Sequence, residues 1–265
     1  MRSKTDQRGD PQMSNPWTMK MEQFTAFTPQ QKQRLDALMT ERQQDYAPRE
    51  DILTEDEPIN ECHVIVSGLA ARYKLLPDGE RQIMAFLIPG DLCDAEVFIL
   101  EKMDHSVCAI GPTTCALISA DTMKGLLREI STMSEALWWG TMTDLAVLRE
   151  RLVDLGRRDA RERIAHLVYE MLVRYRLVGA TGDNVMPWPI TQDELADATG
   201  LTPVHVSRTL KLLRDEGLID PVRREMRIVD AGRLREAARF NPNYLHLIRT
   251  DEGARQVSHR AGDLV

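Results

Sequence analysis

Apolar residues along this chain of 265 residues follow two different rhythms. Between Tyr46 and Ala120 they come in short strand-like runs, Val64–Val66, Ala70–Leu75, Gln82–Leu87, Ser106–Ile110 and Thr114–Ser119. Gly68, Gly79 and Gly90 recur about every 11 residues, the turn rhythm of a small β-barrel or jelly roll. Pro77-Asp78-Gly79 predicts a tight turn, with glycine taking a backbone angle other residues avoid. Helical spacing flanks this section. Leu35 and Leu38 predict a short helix over Gln30–Met39, Asp121 to Gly156 reads as one long helix, and Asp159 to Leu177 reads as another. In the long helix Trp138, Thr141, Leu145, Leu148, Leu152 and Leu155 alternate at spacings of three and four, the seam of a two-stranded coiled coil. A helix packed on its own domain shares that spacing. Gly156 is expected to break the seam. Met1 to about Met21 is polar with scattered prolines and predicts a mobile tail, and Asn241 to Val265 is polar with little pattern.

The strongest local signal lies between Ile190 and Ile219. Thr191 and Glu194 stand three apart, as a capping box requires, with Ile190 and Leu195 as its hydrophobic staple. Gly200 ends that helix. Thr202 caps a second helix, Pro203 takes its first position, and Leu201 and Val206 repeat the staple. Two short helices joined by a tight turn make a helix-turn-helix. On the second, Val206, Leu210, Leu213 and Gly217 form a buried stripe, and Val204, Arg208 and Lys211 face the other way with His205 and Ser207 beside them. Arg208 sits where a helix lodged in a major groove reaches base edges, and a guanidinium fits guanine O6 and N7 in bidentate fashion. Thr191, Gln192 and Thr202, at the two helix starts, join this set as candidate DNA-binding residues. Leu218–Val222 and Met226–Val229 flank Arg223-Arg224-Glu225, a hairpin with a basic tip, where Arg223, Arg224 and Arg227 would touch phosphates. The plainer alternatives are a helical hairpin with a solvated face and a solvated turn.

Composition fits a globular protein of two small domains, with 28% charged and 43% hydrophobic residues. The net charge of −7 speaks weakly against a nucleic-acid binder, but the distribution matters more. Acidic residues gather between Glu50 and Glu61. Arg149, Arg151, Arg157, Arg158, Arg161, Arg163, Arg174 and Arg176 lie on the approach to the helix-turn-helix and predict a modest basic face. Cys62, Cys93, Cys108 and Cys115 show no C-x-x-C spacing and suit reduced, buried thiols of a cytoplasmic protein. Residues Met1 to Gln12 lack a signal peptide's apolar core, and no run approaches the roughly 18 apolar residues of a membrane span.

With the β-like section, the long helix and the winged helix in that order, the chain resembles the Crp/Fnr family of bacterial transcription regulators from about Phe24 to Phe240. The resemblance implies an α+β architecture: an effector-sensing, jelly-roll-like β-roll over residues 23–125, a dimerisation helix over 126–156 and a winged helix-turn-helix DNA-binding domain over 157–240, between tails 1–22 and 241–265. It also implies a homodimer on two-fold related half-sites of double-stranded DNA, contact with RNA polymerase and no membrane attachment. The family's recognition helix carries an E-x-x-x-R pair. Arg208 matches its Arg and Ser207 the small residue before it, but Val204 stands where Glu is usual. A valine accepts no hydrogen bond from a cytosine amino group, though it can touch a thymine methyl.

The family's cyclic-nucleotide binders grip phosphate with an Arg-Ser or Arg-Thr pair and the ribose with a Glu. The matching stretch here holds Glu96, His105 and Ser106, the candidate effector-pocket residues, with Asp104 before His105. A carboxylate beside a phosphate is repulsive and a neutral His is a poor fixed cation, which speaks against cyclic AMP. The cysteines of the family's iron–sulfur oxygen sensors are missing before Cys62. Cys93, His105, Cys108 and Cys115, or Cys62 with His63, would serve a metal or haem only if the fold gathered them; buried thiols and surface histidines are the simpler reading, so no cofactor and no metal site is assigned. No phosphate loop, H-E-x-x-H or G-x-S-x-G motif points to an enzyme. Besides the dimeric regulator, a signalling module whose helix-turn-helix contacts protein stays open, because Val204 replaces the usual acid.

Overall fold

A computed structural model describes residues 15–94, 100–181 and 184–247. The chain begins with α1 (Pro16–Met21), capped by Asn15, whose side chain accepts the Thr18 N–H at 2.9 Å. Trp17 is only 1% exposed. A Cβ on Gly90, whose φ is +91°, would lie 2.6 Å from the Pro16 carbonyl oxygen, so glycine lets this helix lie directly on the turn. The expected mobile tail over 1–22 is corrected here. Residues 15–22 are folded because Trp17 and Met21 share one helical face and bury it. Helix α2 (Pro29–Glu41) follows, with a capping box between Thr28 and Gln31.

Among the described residues seven antiparallel strands then form the roll: β1 (Gln43–Tyr46), β2 (Asp51–Leu53), β3 (Glu61–Ser67), β4 (Ala70–Leu75), β5 (Arg81–Leu87), β6 (Ser106–Ala109) and β7 (Thr113–Ser119). They order as β1-β7-β3 and β2-β6-β4-β5. Cys62, Val64 and Cys115 from the first sheet meet Ala70, Leu87 and Val107 from the second in one core. The second sheet is apolar on both faces. Its Ala71, Ile83, Phe86 and Cys108 join the core of the C-terminal half. Strands β1 and β2 carry no readable alternation because they are only four and three residues long, and β1 is largely exposed.

The single long helix expected over Asp121–Gly156 is two helices, α3 (Ala120–Glu129) and α4 (Met133–Arg157). Ile130 between them is extended and turned into the core. Burying that side chain outweighs one more turn of helix. Gly156 does not end α4, which runs through it to Arg157. The break comes at Arg158, after which Asp159 caps α5 (Ala160–Leu177) through the Glu162 N–H at 2.9 Å. The winged unit comprises β8 (Val185–Pro187), α6 (Gln192–Thr199), α7 (Pro203–Asp215), β9 (Ile219–Val222), β10 (Glu225–Ile228) and α8 (Ala231–Ala237), its sheet ordered β8-β10-β9. The expected C-terminal tail starts too early at 241. A 3₁₀ turn over Pro242–Leu245 buries Leu245, and the Tyr244 hydroxyl donates to Glu170 at 2.8 Å.

Candidate nucleic-acid interface

Local chemistry builds the two-helix unit. The Thr191 hydroxyl accepts the Glu194 N–H at 3.2 Å, and Glu194 accepts the Thr191 N–H at 2.7 Å. Gly200 turns the chain at φ +62°. Its Cβ would stand 3.0 Å from Leu155, so the turn rests against the end of α4. The Thr202 hydroxyl then accepts the His205 N–H at 3.3 Å, opening α7 behind Pro203. Val206, Thr209 and Leu213 face the core and Leu210 is half-buried. Gly217 belongs beyond the helix rather than on its stripe, at φ +70°. Val204, His205, Ser207, Arg208 and Lys211 are exposed together on the other side, with Thr191, Gln192 and Thr202 exposed at the helix starts. Arg223 and Arg224 are exposed at the tip of the β9–β10 hairpin, Arg223 in the left-handed region at φ +57°. The Trp188 N–H donates to the Arg224 carbonyl at 2.7 Å, anchoring that tip to the strand side.

Most of the arginine run does not form the basic face it predicts. Arg151 is buried between Asp154 and Glu170, at 3.0 and 3.5 Å. Arg158 pairs with Glu150 and Asp154 at 2.6 Å, Arg161 with Glu216 at 2.5 Å, and Arg174 with Asp91 at 2.6 Å. Arg163 donates to the carbonyls of Thr199, Leu155 and Arg158. Charge alone cannot tell a helix-joining arginine from a solvated one; carboxylates elsewhere in the chain decide it. Within that run Arg149 and Arg157 are exposed; on the helix-turn-helix and its hairpin the exposed cations are Arg208, Lys211, Arg214, Arg223, Arg224 and Arg227, and among the described residues none of these eight forms an ion pair.

Helix α4 turns Ala136, Thr143, Ala146, Val147, Arg151 and Asp154 inward. The seam residues lie on the opposite face. Trp138 and Leu152 are each 70% exposed, Thr141, Leu145 and Leu148 are exposed, and Leu155 is half-buried. Met142, three residues before Leu145, and Val153, next to Leu152, are also exposed and widen this apolar stripe.

The sensor candidates fare differently. Glu96 lies outside the described residues. Ser106 is buried, its hydroxyl accepting the Glu55 N–H at 3.0 Å. His105 is buried rather than on the surface, with Nδ1 2.5 Å from an Asp104 oxygen. The hydrogen bond from His105 holds the Asp104 carboxyl below its usual range against a smaller desolvation effect, with help from the charges of His105 and Lys74. The four cysteines are buried. Burial pushes the Cys108 thiol up to about 11, and a hydrogen bond with Cys115, with burial, pushes Cys93 well up; such thiols are poor nucleophiles. Among the described residues no three or more His, Cys, Asp or Glu side chains gather as a metal ion needs. A small solvent-open cleft lies between the roll and α4, lined by Lys20, Arg72, Trp139, Asp144 and Arg174 among others.

Sequence reasoning misses the contacts that join the halves. Arg72 of β4 donates to Asp144 of α4 at 2.8 Å. Arg81 and Gln82 of β5 reach the Asp197 carboxylate and carbonyl at 2.8 and 2.7 Å, fastening the first helix of the helix-turn-helix to the roll. Arg174 links α5 to Asp91 and to the Phe86 carbonyl. No local signal marks such partners.

A winged helix-turn-helix carried behind a β-roll and a long helix defines a DNA-binding regulator with a sensor-type N-terminal domain. Residues 162–237 match the Crp-like helix-turn-helix domain, and residues 43–129 match the cyclic nucleotide-binding domain. The chain is 31% identical over 190 residues to the transcriptional activatory protein AadR of Rhodopseudomonas palustris, spanning 71% of this chain and 77% of that protein. It is 28% identical to the nitrogen fixation regulation protein FixK of Bradyrhizobium diazoefficiens, over 73% of this chain and 80% of that one. The solved structure of FixK2 from Bradyrhizobium japonicum superposes with a TM-score of 0.66 at 28% identity, covering 74% of this chain and 96% of that one. The chain belongs to the Crp/Fnr family of transcription regulators. Among the described residues no helix is long and apolar enough to cross a membrane.

Proposed function

We propose that two copies pair along the exposed stripe of α4 and present their α7 helices to successive major grooves of a two-fold DNA site, about 34 Å apart. The observation that carries this reading is the outward face of α7. Arg208 is exposed there with no ion pair among the described residues, opposite Val206 and Leu213, on a helix fixed at both ends. Arg208 donates to guanine O6 and N7. Thr191, Gln192, Thr202, His205, Ser207 and Lys211 contact phosphates and nearby base edges, and Arg223 and Arg224 hold phosphates from the hairpin tip, so binding weakens with salt. Bound beside a promoter in the cytoplasm, the dimer contacts RNA polymerase.

The roll receives an effector or redox signal, and the linkages Arg72–Asp144, Arg81–Asp197 and Arg174–Asp91 convey it as a shift between two arrangements of the halves. A cyclic nucleotide is disfavoured as that effector, because an ionised Asp104 lies beside His105 where phosphate would sit.

Selection of duplexes from a random pool, followed by footprinting at fixed salt, tests the reading. The wild type is expected to protect a two-fold sequence, Arg208→Ala to lose it, and Leu152→Glu to lose the symmetric protection. Binding indifferent to sequence, with no footprint, would favour the helix-turn-helix as a protein contact.

A further inference from the structure

The first turn of α7 presents a residue on the reading face that polar recognition does not account for. Val204 is 58% exposed, in the first turn of the helix and one turn before Arg208. It is not packing within the chain, since Val206, Thr209 and Leu213 do that from the opposite side. Nor does it serve the helix, where valine is a mediocre former. The neighbouring hydroxyl of Thr202 is engaged in the cap. What Val204 offers is a rigid pair of methyl groups: a β-branched side chain in a helix is held almost entirely in one rotamer.

In the major groove the base edges present donors and acceptors, and one apolar feature, the methyl at C5 of thymine. 5-Methylcytosine carries the same group at the same ring atom. A valine cannot accept from the amino groups of cytosine or adenine. We propose that Val204 is a specificity-determining residue that reads the C5 methyl of a pyrimidine, thymine or 5-methylcytosine. The proposal rests on the DNA-reading role of α7 given above. Residues four apart on a helix have Cβ atoms about 6 Å apart, and bases rise about 3.4 Å per step along a strand. The methyl therefore belongs to a base pair within about two steps of the guanine bound by Arg208.

The test uses the full-length protein and its selected duplex. Each thymine is replaced in turn by deoxyuridine, which keeps base pairing and removes only the methyl. One position in each half-site should weaken binding about fourfold, the worth of one buried methyl, and about 15-fold when both half-sites are changed. At that position cytosine should bind more weakly than thymine, and 5-methylcytosine should recover about fourfold over cytosine if both pyrimidines are read; no recovery would restrict the contact to thymine. Val204→Ala, folded by circular dichroism, should erase the deoxyuridine effect, and Val204→Glu should turn the preference toward unmethylated cytosine. A selected site that still needs Arg208 but tolerates every deoxyuridine within twofold overturns the role of Val204 alone. So does a deoxyuridine effect that persists in Val204→Ala. Failure to select any specific site overturns the DNA-reading role of α7, and this inference with it.

Discussion

Removing the guanidinium of Arg174 should loosen the joint between the two halves of the molecule. Its Nη2 lies 2.6 Å from Asp91 and 2.9 Å from the Phe86 carbonyl, and its Nη1 lies 3.4 Å from Glu170. The Asp91 and Glu170 side chains are 4% and 1% exposed, so water cannot replace the lost partner. Arg174→Met keeps most of the stem and deletes the charge. Breaking a buried ion pair from one side costs about 3–5 kcal/mol, because a charge is left unmatched in a poorly solvated place. Here both carboxylates keep other partners: Lys20 at 2.6 Å from Asp91, and Arg151 and Tyr244 at 3.5 and 2.8 Å from Glu170. That puts the loss at the lower end, about 3 kcal/mol, a large share of the roughly 5–15 kcal/mol that hold a domain folded. At about 2–4 °C per kcal/mol for a protein of this size, the melting temperature should fall by about 6–12 °C. Calorimetry on wild type, Arg174→Met, Asp91→Asn and the double variant completes the cycle. The double variant should lose at least about 1 kcal/mol less than the sum of the single losses, since each single variant breaks the same Arg174–Asp91 pair and the double variant breaks it once. A melting shift below about 2 °C, or strict additivity, would refute the assignment of Arg174 as the clamp.

Acid should act through the same joint. Burial alone would raise the Asp91 carboxyl, but Lys20 and Arg174 outweigh it and hold the group below its usual range; for Asp154, burial is likewise outweighed by His166 and Arg151. The stability they contribute is present above the unfolded value of about 4 and drains away as pH falls through it toward the folded value, so urea midpoints should drop below about pH 4. The gap between wild type and Asp91→Asn should narrow there; a constant gap from pH 6 to pH 3 would contradict this. Leu152→Glu puts a charge into the 70% exposed apolar stripe of α4 and should convert a sedimenting dimer into monomer with little change in melting of the monomer; an unchanged dimer would move the interface elsewhere. Thr191→Ala removes the side-chain half of the α6 capping box and should cost about 1 kcal/mol, read as a lower urea midpoint, with Thr191→Ser restoring most of it.

The parts of the fold that neighbours in sequence control were legible before any coordinates. The helix-turn-helix rests on contacts three and four residues apart: Thr191 with Glu194, Thr202 with His205, and Pro203 at the first helical position. Such contacts are written in spacing, as are the outward seam of α4 and the hairpin around Arg223 and Arg224. The same local logic failed at Ile130 and Trp17. There, burial against residues distant in sequence overrode a helical run in one case and a polar, proline-bearing context in the other.

Sequence by itself determined the helix-turn-helix, the hairpin after it, and which side of α7 is left exposed, because each choice depends on residues within a turn or a hairpin. Only the tertiary structure decided which arginines are fasteners and which stay in solvent. Lys20 meets Asp91 across 71 residues, Arg72 meets Asp144 across 72, Arg174 meets Asp91 across 83 and Arg81 meets Asp197 across 116. An ion pair depends on distance and on the exclusion of water, and neither exists for residues so far apart until the roll and the winged unit have closed on each other.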